Sequence, residues 1–139
     1  TYQLSIDGQP ICRLTSSDLS HGVNMAEMAQ TPQYRQASAL MYLNEDRLEV
    51  EKRLREYVWM EYNVFKDSEK RFVDNWESIE MVNSRAKDDW FVANSNYWFR
   101  KSYYPQIREI WNDYMEKIVA RIYSMNKPVS RKVTLARVY

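Results

Sequence analysis

The chain has 139 residues, 45% hydrophobic and 28% charged, and its 20 Lys and Arg against 19 Asp and Glu leave a net charge of +1. That is one domain's length of chain, spanning residues 1–139, with ample apolar content for a core and no global field to draw it to nucleic acid or an anionic membrane. One cysteine (Cys12), one histidine (His21) and two glycines exclude an internal disulfide, a multi-cysteine metal centre, paired-histidine zinc or di-iron chemistry and a glycine-rich phosphate loop, so no cofactor is expected.

Residues 2–6 alternate apolar and polar, the period of a strand with one buried face. Asp7-Gly8 then supplies the dipeptide that tolerates a tight hairpin turn, and residues 11–14 return. A two-residue loop sets Leu4 opposite Ile11 and Tyr2 opposite Arg13, and Pro10, lacking a donor, marks an edge strand. Thr15-Ser16-Ser17-Asp18 has the form of a capping box, opening a short helix that carries Leu19 and stops at Gly22.

Thr31 as N-cap with Pro32 in the first helical position starts a second helix, free of Pro and Gly to about Phe65. Leu40, Leu43, Leu48, Leu54, Val58, Tyr62 and Phe65 fall roughly on one face, with Glu49–Arg53, Glu51–Arg55 and Lys52–Glu56 as i,i+4 pairs on the other. At 1.5 Å per residue this helix is about 50 Å long, which predicts a kink or a projecting end. Phe72, Trp76 and Ile79 predict a shorter amphipathic helix over 68–83. Between 84 and 104 the pattern weakens, and Asn94-Ser95-Asn96 reads as a turn. Pro105 opens a helix with Ile107, Ile110, Trp111, Tyr114, Ile118, Ile122 and Met125 in 3,4 spacing, ended by Asn126-Lys127-Pro128.

Residues 130–139 alternate again, Val133 and Leu135 on one side, Thr134, Ala136 and Val138 on the other. A terminal strand needs a partner, because open edges leave donors and acceptors unpaired. The N-terminal hairpin is the partner inside this chain. The expected fold is therefore α+β and mainly helical: about four helices flanked by a small antiparallel sheet that joins the two ends. No run of about 18 apolar residues is present, so no membrane span is expected. The abrupt entry from Thr1 into a strand reads as a piece of a longer polypeptide.

Tyr2 to Met28, with its strand ending in Ile6-Asp7-Gly8, the Thr15-x-x-Asp18-Leu19 turn and the run Gly22-Val23-Asn24-Met25-Ala26, resembles the segment that follows the catalytic domain in many SGNH/GDSL-type hydrolases. The Thr31-Pro32 helix start, Arg121-Ile122-Tyr123, Asn126-Lys127-Pro128 and the basic last strand are similar too, so the resemblance anchors roughly residues 2–34 and 118–138. It implies a non-catalytic accessory domain C-terminal to a serine ester hydrolase, the upstream catalytic domain being its partner, in a parent that is periplasmic or secreted and deacylates glycans or other esters. In that family a Ser in a Gly-Asp-Ser box attacks the ester carbonyl and a His in an Asp-x-x-His element acts as base. Neither box stands here. Asp18-Leu19-Ser20-His21 mimics the second, but no nucleophile box precedes it, so His21 reads as a surface or cap residue and Cys12 as a small buried thiol. No catalytic residue is assigned to this chain.

Three non-catalytic roles remain. From Lys117 onward there are six basic residues and no acid, yet Lys117 and Arg121 lie on a helix's polar side and Arg131 and Lys132 alternate across a strand, so nucleic acid is not expected as a partner. Trp90, Phe91, Tyr97, Trp98, Phe99, Tyr103 and Tyr104 crowd a segment with a weak stripe. Exposed rings there could stack on a sugar, which makes Trp90, Asn94, Tyr97, Trp98 and Tyr103 candidate ligand-stacking residues and a glycan a candidate partner; the bland alternative is that the rings fill gaps between helices. The overlong helix favours packing on the hydrolase or self-association into a homo-oligomer. The alternative to the accessory-domain reading is a carbohydrate-binding or self-association helical module with no hydrolase partner.

Overall fold

The structure is a computed structural model that describes residues 1–66 and 75–139. In chain order the elements are β1 (Tyr2–Ile6), β2 (Gln9–Leu14), α1 (Ser16–His21), a single 3-10 turn (Met25–Glu27), α2 (Pro32–Phe65), α3 (Trp76–Arg85), α4 (Trp90–Ser102), α5 (Pro105–Met125) and β3 (Val133–Arg137). The fold is α+β and mainly helical, with one antiparallel sheet of order β2-β1-β3. The chain divides into two compact units, one of residues 1–43 with 121–139, the other of residues 44–120.

The first unit is built on the sheet. Asp7 (φ 51°) and Gly8 (φ 81°) both have positive φ, as a two-residue hairpin turn of this hand requires. Register departs from the straight ladder: Leu4 faces Cys12 and Tyr2 faces Leu14, because a bulge between Leu4 and Ser5 leaves Ile11 as the extra residue on β2. One residue of slip moves every later side chain to the other face. The bulge thus puts Leu14 beside Leu4 and Ile6, where all three are buried, and turns Arg13 outward. A straight register would have buried the arginine.

On the other side of β1, Leu4 faces Leu135 and Ile6 faces Val133, so the last strand closes onto the first. The turn fastens this pairing. Asp7 Oδ1 accepts the Lys132 N–H at 2.9 Å, its Oδ2 accepts from Arg131 Nη1 at 2.9 Å, and its own N–H donates to the Lys132 carbonyl at 2.8 Å. These bonds hold the Asp7 carboxyl below the usual aspartate range, the Lys132 N–H first and the Arg131 guanidinium second.

The capping box at α1 is complete: Thr15 N–H and Oγ1 donate to Asp18 Oδ2, both at 2.7 Å, and Asp18 N–H donates back to Thr15 Oγ1 at 3.1 Å. Gly22 (φ 87°) ends the helix. At α2, Thr31 Oγ1 accepts the Tyr34 N–H at 3.2 Å and donates to the Met28 carbonyl at 2.9 Å, with the side chain wholly buried. Gln36 donates its amide to the Met125 carbonyl and, at 3.0 Å, to that of Lys127, closing off carbonyls at the end of α5.

Helix α2 runs unbroken for 34 residues. Its buried face differs from the expected stripe: Val50, Met60, Val64 and Phe65 are buried, whereas Leu48, Val58 and Tyr62 are exposed. The 34-residue helix drifts off any one apolar line, and aliphatic positions satisfy 3,4 spacing on two faces at once. In the second unit, the core joins Met60, Val64 and Phe65 of α2 to Ile79 and Val82 of α3 and Val92 and Phe99 of α4. Tyr57 stacks on Phe99 at 6.2 Å between ring centroids and 18° between planes, and the Arg108 guanidinium lies 4.2 Å over the Tyr57 ring.

Three further expectations are corrected. Asn94-Ser95-Asn96 is no turn but the middle of α4, a fifth α-helix among the described residues. Its buried set of Val92, Ser95, Phe99 and Ser102 has helical spacing, but two of the four are serines, so an apolar stripe is invisible there. The Ser102 hydroxyl is reconciled with burial by donating to the Trp98 and Phe99 carbonyls at 2.9 and 3.1 Å. Trp76, expected on the apolar face of α3, is exposed, and its indole N–H donates to Glu80 Oε1 at 2.8 Å; Phe72 lies outside the described residues. On α5, Ile110 and Tyr114 are exposed and Ile118 is the buried member of the stripe.

Candidate functional site

The five candidate ligand-stacking residues all belong to α4 or its C-cap, in the second unit. Asp89 places them. Its Oδ1 accepts the N–H groups of Phe91 and Val92 at 3.0 and 3.2 Å, the N-cap bonds that start the helix at Trp90. An Asp directly before Trp-Phe-Val is the signal for this start.

From Trp90, positions 94, 97 and 101 follow at i+4, i+7 and i+11, so Trp90, Asn94, Tyr97 and Lys101 form one outward stripe. Trp90 is 71% exposed and Tyr97 58%, far from the habit of core aromatics. Trp90 meets Phe91 edge-on at 5.0 Å, and Tyr97 meets Trp98 edge-on at 4.9 Å. Lys101 Nζ sits 4.2 Å from the Tyr97 ring centroid and donates to the Tyr97 hydroxyl at 2.6 Å.

Trp98 and Tyr103 behave differently. Trp98 is half-buried, 6.3 Å edge-on from Trp111 of α5. The Arg53 guanidinium of α2 lies 4.9 Å over the Trp98 ring and 5.8 Å over that of Trp111. Its Nε is buried without a hydrogen-bond acceptor among the described residues, and the two indole faces compensate its charge. Tyr103 packs against the hydrophobic core, and its ring meets Tyr104 edge-on at 5.3 Å. The structure thus leaves Trp90, Asn94 and Tyr97 presented to solvent, ties Trp98 into the packing of three helices and turns Tyr103 inward.

Between α2 and α4 runs a groove of about 420 Å³ that the sequence reading did not locate. Lys52, Arg55, Glu56 and Trp59 line it from α2, at i, i+3, i+4 and i+7; Phe91, Asn94 and Ser95 line it from α4. Of the three ion pairs expected on α2, Glu51–Arg55 forms at 3.7 Å. Glu51 is instead held more closely by Arg47 at 2.7 Å, Arg53 stacks on indoles, and Lys52 and Glu56 face the groove without closing on each other.

The Asp-x-x-His mimic is dispersed. The Asp18 carboxylate is occupied by Thr15, which holds it below the usual aspartate range through the Thr15 N–H first and the hydroxyl second. His21, exposed, bonds through Nδ1 to the Ser17 carbonyl at 2.8 Å. Cys12 is half-buried with its Sγ 4.0 Å from Met28 Sδ. No group of three metal-ligating side chains gathers among the described residues, and no helix there is long and apolar enough to cross a membrane. Of the basic C-terminal residues, Arg131 is taken by Asp7 and Arg137 lies over Tyr139.

No curated protein matches the chain. The solved structure of BT4096, a gut microbial diltiazem-metabolizing enzyme, is similar over 99% of this chain, with a TM-score of 0.89 and 33% sequence identity. The chain spans 31% of that enzyme's length. Residues 38–127 match the profile of the diltiazem deacetylase C-terminal helical domain. With most of its length covered by that profile, the chain belongs to the diltiazem deacetylase C-terminal helical domain family.

Proposed function

We propose that this chain is the non-catalytic accessory domain of an ester hydrolase, lying C-terminal to a catalytic domain of the SGNH/GDSL type that removes acetyl or other acyl groups, those of acylated glycans among them. The observation that carries the reading is the end-to-end likeness of the chain to under a third of BT4096, within a family described as C-terminal. The resemblance of residues 2–34 and 118–138 to the segment following SGNH/GDSL catalytic domains supports the type of partner. In such a parent the serine of the other domain attacks the ester carbonyl, and a histidine there takes its proton and returns it to the leaving alcohol. This domain's part is to pack on that body and shape approach to it. A periplasmic or secreted parent goes with the same reading.

The test compares the 139-residue chain with the full polypeptide that carries it, using an aryl acetate and a serine-directed fluorophosphonate. Turnover and label are expected with the full polypeptide, at a serine outside these residues. Serine-dependent turnover by the chain alone would overturn the proposal. Self-association is a second reading, favoured by the exposed Leu48, Val58 and Tyr62 on α2; light scattering separates a monomer from a homo-oligomer.

A further inference from the structure

We infer that the groove between α2 and α4 is a binding site for an acidic saccharide, one that carries a carboxylate and a pyranose face together. The inference stands on the groove's own chemistry and needs no particular catalytic partner.

The donors come first. Lys52 and Arg55, one helical turn apart, put two cations on the α2 wall. Lys52 takes part in no ion pair among the described residues, although Glu56 stands one turn further along the same face. Arg55 reaches only 3.7 Å toward Glu51, which Arg47 already holds at 2.7 Å. Both cations are therefore available to a carboxylate, and the Arg55 fork suits one geometrically.

Opposite them, Asn94 offers a primary amide, donor and acceptor at once, with no hydrogen-bond partner among the described residues. Glu56 adds a pure acceptor. A ligand rich in hydroxyls satisfies such a mixed set, whereas a polyphosphate, which only accepts, leaves Glu56 without a donor.

The rings supply the third element. Trp59 from α2 and Phe91 from α4 line the groove, and Phe91, 66% exposed, is held edge-on by Trp90. Exposed aromatic faces beside hydrogen-bonding groups accept the C–H face of a sugar ring and the polar rim together. The volume of about 420 Å³ lies within the range of small-molecule sites. Of the residues singled out from sequence, Asn94 lines this site and Trp90 positions one of its rings; Tyr97, Trp98 and Tyr103 do not line it.

The test is a titration of the 139-residue chain followed by Trp fluorescence and calorimetry, with a galacturonic acid trimer, a neutral glucose trimer and inorganic triphosphate as probes. The acidic trimer is expected to bind with a Kd of about 1 mM or tighter, and each of the other two at least about tenfold more weakly. Lys52→Gln with Arg55→Gln is expected to weaken the acidic trimer about tenfold, and Phe91→Ala by a similar factor, while the melting curve stays in place because these side chains are exposed. Lys52→Arg, which keeps the charge, should keep binding of the acidic trimer. A flat titration, equal binding of the neutral trimer or of triphosphate, or indifference to both sets of substitutions would each overturn the inference. None of these outcomes bears on whether the chain belongs to an ester hydrolase, which the activity comparison decides separately.

Discussion

Asp7 and Lys132 lie 125 positions apart in the chain and meet through two hydrogen bonds: the Asp7 carboxylate accepts the Lys132 N–H at 2.9 Å, and the Asp7 N–H donates to the Lys132 carbonyl at 2.8 Å. One residue therefore forms the hairpin turn and receives the last strand. Asn in its place tolerates positive φ and keeps a carbonyl for the Lys132 N–H, but loses the charge that Arg131 meets. Alanine loses everything but the backbone bond. The expected order of melting temperatures at neutral pH is wild type, then Asp7→Asn, then Asp7→Ala, read by circular dichroism.

The same carboxyl sets a pH dependence. Its folded pKa is lowered, as is that of Asp18, so both contribute stability above the ordinary aspartate value, about 3.9, and lose it as pH falls through the lower folded values. Acid unfolding should therefore begin in that window, and Asp7→Asn should flatten it. An unchanged acid limb in the variant would remove Asp7 from the account.

Thr31→Ala removes an N-cap oxygen that is wholly buried and bonded both ways. The expected loss is about 1–2 kcal/mol of unfolding free energy by denaturant titration.

Phe99 has no exposed surface and touches Tyr57, while Trp90 on the same helix is 71% exposed. Phe99→Ala is expected to cost about 3–5 kcal/mol and Trp90→Ala less than about 0.5 kcal/mol. Two substitutions of equal cost would contradict the assignment of α4's inner and outer faces.

Arg53 carries its charge against Trp98 and Trp111. Arg53→Gln keeps part of the aliphatic stem but not the charge, and should cost about 1 kcal/mol and shift the Trp emission maximum. The Arg53→Gln effect should shrink in a Trp98→Leu background, the remainder belonging to Trp111, since the double-mutant cycle isolates one pair at a time.

Much of this architecture is legible in the sequence because its signals are local. Asp7-Gly8, the Thr15 box, Thr31-Pro32, Pro105 and Pro128 each act through one backbone position, and the elements start or stop where those residues stand. The bulge is a different matter: it follows from the preference of Leu14 over Arg13 for the buried face, a comparison across strands that no single residue announces. Helix α4 escaped because Ser95 and Ser102 occupy core positions, their hydroxyls satisfied by carbonyls of their own helix. Crowding alone marks the candidate aromatics, and crowding cannot separate Trp90, turned to solvent, from Tyr103, turned to the core. The groove wall of Lys52 and Arg55 is hidden for a related reason: i,i+4 spacing pairs Lys52 with Glu56 as readily as Arg55 with Glu51, and only the second pair forms.

The strand order β2-β1-β3 carries a consequence for how the chain is made. A ribosome releases β1 and β2 well before β3, and they can join at once, but the other edge of β1 must wait until more than a hundred further residues have been threaded out. During that interval the nascent hairpin offers a bare edge with Leu4 and Ile6 beside it, a template for stray pairing with a neighbouring polypeptide. Removing the last seven residues would make that transient hazard permanent, and such a truncation should precipitate during expression rather than merely melt earlier.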